Sequence, residues 1–176
     1  MPPVELVYRR ISSPAGPLLA AASSRGLMML AYRDDGDGGA PEDGDAATLD
    51  PVRRQLDEYF AGTRRAFDLP LDWTLVRGFA RSVLEATARI PYGETRTYAQ
   101  IAAEAGSPRA FRATGNALGS NPIAIVIPCH RVVASGGRIG GYGGGLGRKR
   151  LLLDLEGGAQ VLGSGSGPGF AGPSRA

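Results

Sequence analysis

The chain contains one cysteine, Cys129, and one histidine, and the two are adjacent: His130 follows the thiol directly. A free thiol has a pKa of about 8.5, so only a few per cent is thiolate at pH 7 and a nucleophilic role needs a base. A lone cysteine is otherwise a small buried hydrophobe. Neighbours in an extended segment point to opposite sides, so the direct Cys–His contact of a thiol hydrolase is disfavoured. A relay from thiol through water to imidazole is open, provided that a carboxylate sets the tautomer. Glu156 is the candidate carboxylate. With no second cysteine there is neither a disulfide framework nor a resolving thiol for redox exchange. One Cys and one His also exclude the usual four-ligand Cys/His zinc site. No metal and no cofactor is expected.

The elements that must position these groups can be read in order. Residues 4–11, 17–23 and 27–32 are short apolar runs broken by Ser-Pro-Ala-Gly and Ser-Ser-Arg-Gly, the pattern of a β-meander. Residues 34–47 are Asp/Gly-rich and predict a flexible acidic loop. Asp50-Pro51 reads as an N-cap and first helical residue, with Val52, Leu56, Tyr59 and Phe60 on one face of a helix ending at Gly62. Trp73, in the connector that follows, is assigned to core packing. Phe79, Val83, Ala86 and Ile90 follow helical spacing up to Pro91-Tyr92-Gly93. Thr97-x-x-Gln100 is a capping box opening a helix over 98–105, with Gly106 as its stop. Ser107-Pro108 starts another helix running to Gly119, so helix, Gly-containing turn and helix make a helix-turn-helix. On the second helix Arg109 and Arg112 are three apart and expected on one face, and Ala110, Ala113, Gly115 and Ala117 keep it thin. Residues 123–127 predict a buried strand delivering Cys129. Residues 136–147 form a Gly-rich loop, and the last helix, 148–156, turns Leu151, Leu152 and Leu155 inward.

The 176 residues fit one ordinary domain or two small ones, with 27 Gly and 13 Pro concentrated in loops and tail. The net charge is only +3, but residues 1–75 carry −4 and residues 76–176 carry +7. A basic helix-turn-helix half suits a polyanion. The first residues lack a basic region followed by an apolar run, and no apolar run is long enough to span a bilayer. A cytoplasmic protein without a membrane partner is therefore expected.

The segments Ile127-Pro128-Cys129-His130-Arg131-Val132-Val133, Ile90-Pro91-Tyr92-Gly93-Glu94-Thr95-Arg96-Thr97-Tyr98, Ser120-Asn121-Pro122-Ile123, Gly141-Tyr142-Gly143-Gly144-Gly145-Leu146 and Leu151-Leu152-Leu153-Asp154-Leu155-Glu156-Gly157 resemble, in order and spacing, the O6-alkylguanine-DNA alkyltransferases. The resemblance covers most of residues 49–157, and the N-terminal strands are similar to that family's ribonuclease-H-like domain. It implies an α+β chain. Residues 1–75 would be a small sheet-and-helix structural domain. Residues 76–157 would be a mostly helical, winged helix-turn-helix domain with the active site. Outside the resemblance, the Gly/Ser/Pro content of 158–176 predicts a disordered tail.

The resemblance implies that Cys129 accepts the alkyl group of O6-alkylguanine, and of O4-alkylthymine, from a base flipped out of duplex DNA, irreversibly and once. It implies that His130, Asn121 and Glu156 generate and orient the thiolate. Tyr98 would protonate the departing guanine and Arg112 would fill the gap in the duplex. Val132 and Tyr142 would wall the base pocket, with Gly143 and Gly144 offering backbone N–H groups. Gly143 stands where the family has Ser or Ala. Arg109, Ala110, Ala113, Thr114, Gly115, Thr97 and Ser135 would face double-stranded DNA. A monomer in solution that assembles cooperatively on DNA is the implied state. Some relatives carry Trp at the cysteine position and bind lesions without transfer, so two readings stand beside each other: transfer to Cys129, and a non-catalytic winged-helix lesion- or DNA-binding protein.

Overall fold

The structure is a computed structural model, described for residues 5–34 and 46–157. The acidic loop predicted over 34–47 lies almost wholly outside the described residues, and the tail 158–176 lies wholly outside them. The described chain forms two compact units. Unit 1 runs to Val76 and includes Pro122–Val126, while unit 2 comprises Arg77–Asn121 and the chain from Ile127.

In unit 1 the three apolar runs are strands β1 (Val7–Ile11), β2 (Leu18–Ser23) and β3 (Gly26–Tyr32), antiparallel in the order β1-β2-β3. Every residue of the central strand is buried, as its near-continuous apolar sequence requires. Helix α1 (Asp50–Phe60) buries Val52, Leu56 and Tyr59. Leu49, not Asp50, is its N-cap; the Asp50 carboxylate pairs with Arg9 of β1 and so cannot cap the helix. Trp73 is only half-buried, in a 3-10 turn.

The predicted strand over 123–127 is absent. Only Ile123 bridges, to Leu30 of β3, and the backbone then turns, with Ala124 O accepting from Val126 N at 2.8 Å. Ile125 sits at φ 70°, a left-handed conformation costing about 1–3 kcal/mol for a branched residue. Ile123, Ile125 and Ile127 are all buried. Burial of those side chains outweighs the strand preference of the β-branched run.

Unit 2 is mostly helical. Helix α2 (Gly78–Ala88) packs against α3 (Tyr98–Glu104) and α4 (Phe111–Gly119). Strands β4 (Arg96–Thr97) and β5 (Val132–Val133) pair in parallel. Helix α5 (Leu146–Gly157) closes the unit. Helix α4 starts three residues later than the Ser107-Pro108 signal implies. Ser107 O accepts from Ala110 N at 2.9 Å, closing a turn that holds Arg109 outside the helix. Arg109 and Arg112 therefore do not share a helix face. On α5 the buried stripe is Lys149, Leu152, Leu153 and Glu156, whereas Leu151 and Leu155 are only half-buried. The spacing i, i+3, i+4, i+7 is that of one helix face, but it places two charged groups inward.

The capping box at Thr97 is present in full: Thr97 Oγ1 accepts from Gln100 N at 3.2 Å and Gln100 Oε1 accepts from Thr97 N at 2.8 Å. Thr97→Ala is expected to lower the unfolding free energy by about 1 kcal/mol in urea titration. A change within error would show that α3 is held by packing alone.

Candidate active site

Cys129 opens a 3-10 turn, residues 129–131, that runs straight into β5. It is almost fully buried, at 8% exposure. Asn121 Nδ2 donates to Cys129 Sγ at 3.2 Å and to Ile127 O at 2.9 Å, so one amide fixes both the sulfur and the strand-less segment before it. Burial pushes the thiol pKa up; the Asn121 hydrogen bond and the Lys149 charge oppose that shift. The turn places His130 away from the sulfur, and no hydrogen bond joins the two side chains.

His130 is wholly buried, and its Nε2 lies 2.7 Å from Glu156 Oε1. Glu156 accepts two further bonds from Arg131, Nε at 2.8 Å and Nη2 at 2.9 Å, while Arg131 Nη1 donates to Ile90 O at 2.6 Å. Burial raises the Glu156 pKa, but the hydrogen bonds from His130 and Arg131 outweigh it and hold the carboxyl at about 2. An ionised carboxylate can only accept, so the proton of the pair belongs on His130 Nε2. Burial depresses the His130 pKa against the pull of Glu156, leaving a neutral imidazole. Its Nδ1 then carries a free lone pair. That atom is buried and has no hydrogen-bond partner among the described residues.

Lys149, the chain's single lysine, is fully buried on α5. Its Nζ donates to Val132 O at 2.6 Å and to Gly141 O at 2.9 Å. Burial lowers its pKa to about 8 against the opposing pull of Cys129. Gly141 O also accepts from Tyr98 Oη at 3.3 Å. Tyr98 begins α3, directly after the β4–β5 pairing that sets β4 beside the cysteine segment. Burial and the nearby Cys129 raise the Tyr98 pKa against the Gly141 hydrogen bond, so the phenol keeps its proton at neutral pH. Gly140, at φ 72°, allows the close approach: a Cβ there would lie 2.9 Å from the Tyr98 ring.

An open cavity of about 570 Å³ reaches Cys129. It is lined by Tyr98, Gly141, Tyr142 and Gly143, and by the face of α4 that carries Phe111, Gly115, Leu118 and Gly119. Of the side chains expected at the site, Cys129, His130, Asn121, Glu156 and Tyr98 come together. Tyr142 and Gly143 line the cavity as expected. Val132 does not: it is fully buried, its carbonyl held by Lys149 and its backbone paired with Arg96. Gly144 is not a lining residue either; its carbonyl accepts from Arg148. Arg112 and Ala113 are exposed on α4, Ser135 is exposed at the start of a 3-10 turn, Arg109 is exposed in the turn before α4, and Thr97, Ala110 and Gly115 are partly exposed. Thr114 is wholly buried and cannot present its side chain to a duplex, because the inward face of α4 is Thr114, Ala117 and Leu118.

Residue-type reasoning missed Arg131, Lys149, Phe111, Leu118 and Gly119. Arg131 was visible inside the quoted motif, and Lys149 as the one lysine among 20 basic residues. The α4 face is visible only once its helix start is known. Among the described residues no group of three or more His, Cys, Asp or Glu could hold a metal ion, and no helix is long and apolar enough to cross a membrane.

Residues 6–73 match the family model of the 6-O-methylguanine DNA methyltransferase ribonuclease-like domain, and residues 78–158 that of the 6-O-methylguanine DNA methyltransferase DNA binding domain. The methylated-DNA–protein-cysteine methyltransferase of Mycobacterium tuberculosis is 45% identical over 156 residues, covering 85% of this chain and 91% of that protein. That of Methanosarcina barkeri is 44% identical, covering 86% and 97%. The crystal structure of Mycobacterium tuberculosis OGT in complex with DNA matches with a TM-score of 0.73 at 43% identity, covering 88% of this chain and 98% of that one.

Glu156 makes unit 2 acid-sensitive with a definite sign. Its folded pKa, about 2, lies below the ordinary 4.5. Its stabilisation is therefore complete above about pH 4.5 and lost as pH falls toward 2, a change on the order of 3 kcal/mol. Asp72 in unit 1 is also held at about 2, chiefly by hydrogen bonds from Ser23 and Thr74, and its contribution has the same sign. Glu156→Gln is expected to cost about 3–5 kcal/mol at pH 7, by leaving Arg131 uncompensated, and to flatten the acid limb relative to the parent. Parallel acid limbs in urea unfolding from pH 6 to 2.5 would refute the assignment.

Proposed function

The chain belongs to the 6-O-methylguanine DNA methyltransferase family, and on that premise we propose how its own residues carry out direct reversal of DNA alkylation. The observation that supports it most is a single thiol at an open cavity with room for a nucleobase, backed by a neutral, carboxylate-oriented imidazole. The activity is that of a methylated-DNA–protein-cysteine S-methyltransferase, and the substrate is duplex DNA carrying O6-alkylguanine and O4-alkylthymine.

The lesion lies inside the base stack, so the nucleotide must flip out, at a cost of a few kcal/mol that is smaller for a damaged pair. Arg112 is exposed on α4 and has no hydrogen bond or ion pair among the described residues, which suits it to occupy the space vacated in the duplex. The Cys129 proton passes through one bridging water to His130 Nδ1, and Glu156 stabilises the imidazolium that results. The buried Lys149 charge and the Asn121 amide hold the thiolate. The sulfur then attacks the alkyl carbon in line: the S–C bond forms, the C–O6 bond breaks, and its electron pair moves onto the guanine. Tyr98 Oη gives a proton toward the ring as that charge develops, and the backbone N–H of Gly143 faces the base oxygen. The product on the protein is a thioether, which water does not cleave, so each molecule acts once.

Val132 supports the site from behind through its carbonyl rather than forming a wall. DNA contacts fall to Arg112, Arg109, Ala110, Ala113, Gly115, Thr97 and Ser135, with the Thr114 side chain excluded by burial. The protein acts as a monomer that gathers cooperatively on DNA, and action on the chromosome of a bacterium would place it in the cytoplasm.

Mixing the protein with a duplex bearing one O6-methylguanine is expected to add one methyl mass to the Cys129 peptide, at most one equivalent, and none in Cys129→Ser. Tight lesion binding with no added mass would identify a recognition protein instead, and repeated turnover would exclude thioether trapping. Arg112→Ala should slow transfer from the duplex by about tenfold, the rate equivalent of 1.4 kcal/mol of the flipping cost, and leave reaction with the free O6-alkylguanine base unchanged. Equal loss on both substrates in single-turnover assays would show that Arg112 acts on the fold rather than on the duplex.

A further inference from the structure

Phe111 is the first residue of α4, and its side chain is 53% exposed although it also lines the Cys129 cavity. The same face of α4 continues with Gly115, Leu118 and Gly119, so the two glycines leave the cavity wall low and the phenyl ring is the largest group on it. Its neighbours on the exposed side are Ala110, Arg112 and Ala113. Phe111 has no ring contact among the described residues. Cys129, by contrast, is 8% exposed. A ring half in solvent and half in the cavity stands at the rim, adjacent in sequence to Arg112.

We propose that Phe111 is a specificity-determining residue that packs its ring against the lesion nucleotide at the cavity rim and so separates damaged from undamaged duplex. A planar apolar ring suits the face of a nucleobase, and stacking of this kind is tolerant of base identity. It requires a base that has left the stack, which an undamaged duplex does not readily supply. Selectivity then comes from what is presented at the rim, while phosphate contacts from arginines bind either duplex. Phe111 touches the substrate but takes no part in bond making. The inference rests on the DNA-repair reading for the identity of its substrate.

The test is the series Phe111→Ala, Phe111→Leu and Phe111→Trp, read in two ways. The first is the single-turnover rate of methyl transfer to Cys129 from a duplex with one O6-methylguanine, at subsaturating concentration. The second is equilibrium binding of the lesion duplex and of the matched undamaged duplex, with Cys129→Ser added to each variant so that no transfer intervenes. Phe111→Ala is expected to slow transfer and weaken lesion binding about tenfold, with undamaged binding unchanged. Phe111→Leu should show most of that loss, because it is apolar without a flat face. Phe111→Trp should restore both, and its added indole emission should be quenched by the lesion duplex alone. Thermal midpoints should stay together, since the ring is exposed. Phe111→Ala within twofold of the parent in both readings overturns the proposal, as does Phe111→Leu equal to the parent or a loss shared by undamaged DNA. Absence of methyl on Cys129 in the parent would instead strike the transfer reading, and the binding series would still decide for or against Phe111.

Discussion

The Glu156 carboxylate is the interaction on which unit 2 turns. It is buried at the end of α5 and receives three hydrogen bonds, one from His130 and two from Arg131, and Arg131 in turn holds the carbonyl of Ile90 just beyond α2. A buried charge of this kind is tolerable only when it is paired and hydrogen-bonded. Satisfying it ties together the last helix, the cysteine turn and the end of α2. The same bonds decide chemistry: an acceptor-only carboxylate forces the proton onto Nε2 and leaves Nδ1 as the basic atom of a neutral ring. Structure and reactivity share one electrostatic requirement, and neither can be altered alone.

Lys149 plays the corresponding part on the other side of the sulfur. Among the described residues its ammonium bonds to no carboxylate; two backbone carbonyls, of Val132 and Gly141, accept its hydrogen bonds. This fastens the glycine-rich loop to β5, and Gly141 is also the acceptor for the Tyr98 hydroxyl. One cation therefore orders the loop, the phenol and the electrostatic surroundings of the thiol. The loop can come so near because Gly140 lacks the Cβ that would strike the Tyr98 ring. Polar groups and a missing side chain, rather than apolar packing, shape this face of the site.

The sequence carried much of this. The meander, the capping box at Thr97 and the helix carrying Val83 and Ala86 were legible because each is a local pattern with a local cause. So was the constellation of Cys129, His130, Asn121, Glu156 and Tyr98, through its resemblance to a family. Other elements were not legible because their causes lie elsewhere in the chain. Residues 123–127 have the composition of a strand, yet three buried isoleucines and a single bridge to β3 bend them into a turn. Val132 looks like a pocket wall by position, and its place in the β4–β5 pairing turns it inward. Thr114 lies next to exposed residues in sequence, and one step of the helix takes it into the core.

By itself the sequence determined the chemical inventory. One thiol, one imidazole, one lysine and a basic C-terminal half exclude redox pairs and Cys/His zinc sites and leave a single thiol nucleophile. It also determined the helices and strands whose signals are caps, turns and periodicity, since these arise from neighbouring residues. Only the tertiary structure decided which nitrogen of the histidine holds the proton, that Arg131 shares the Glu156 carboxylate, that Arg131 and Lys149 are buried parts of the site, and that Phe111 stands at the rim. Those outcomes depend on distances between residues far apart in the chain and on the exclusion of water, and neither quantity exists until the chain has packed.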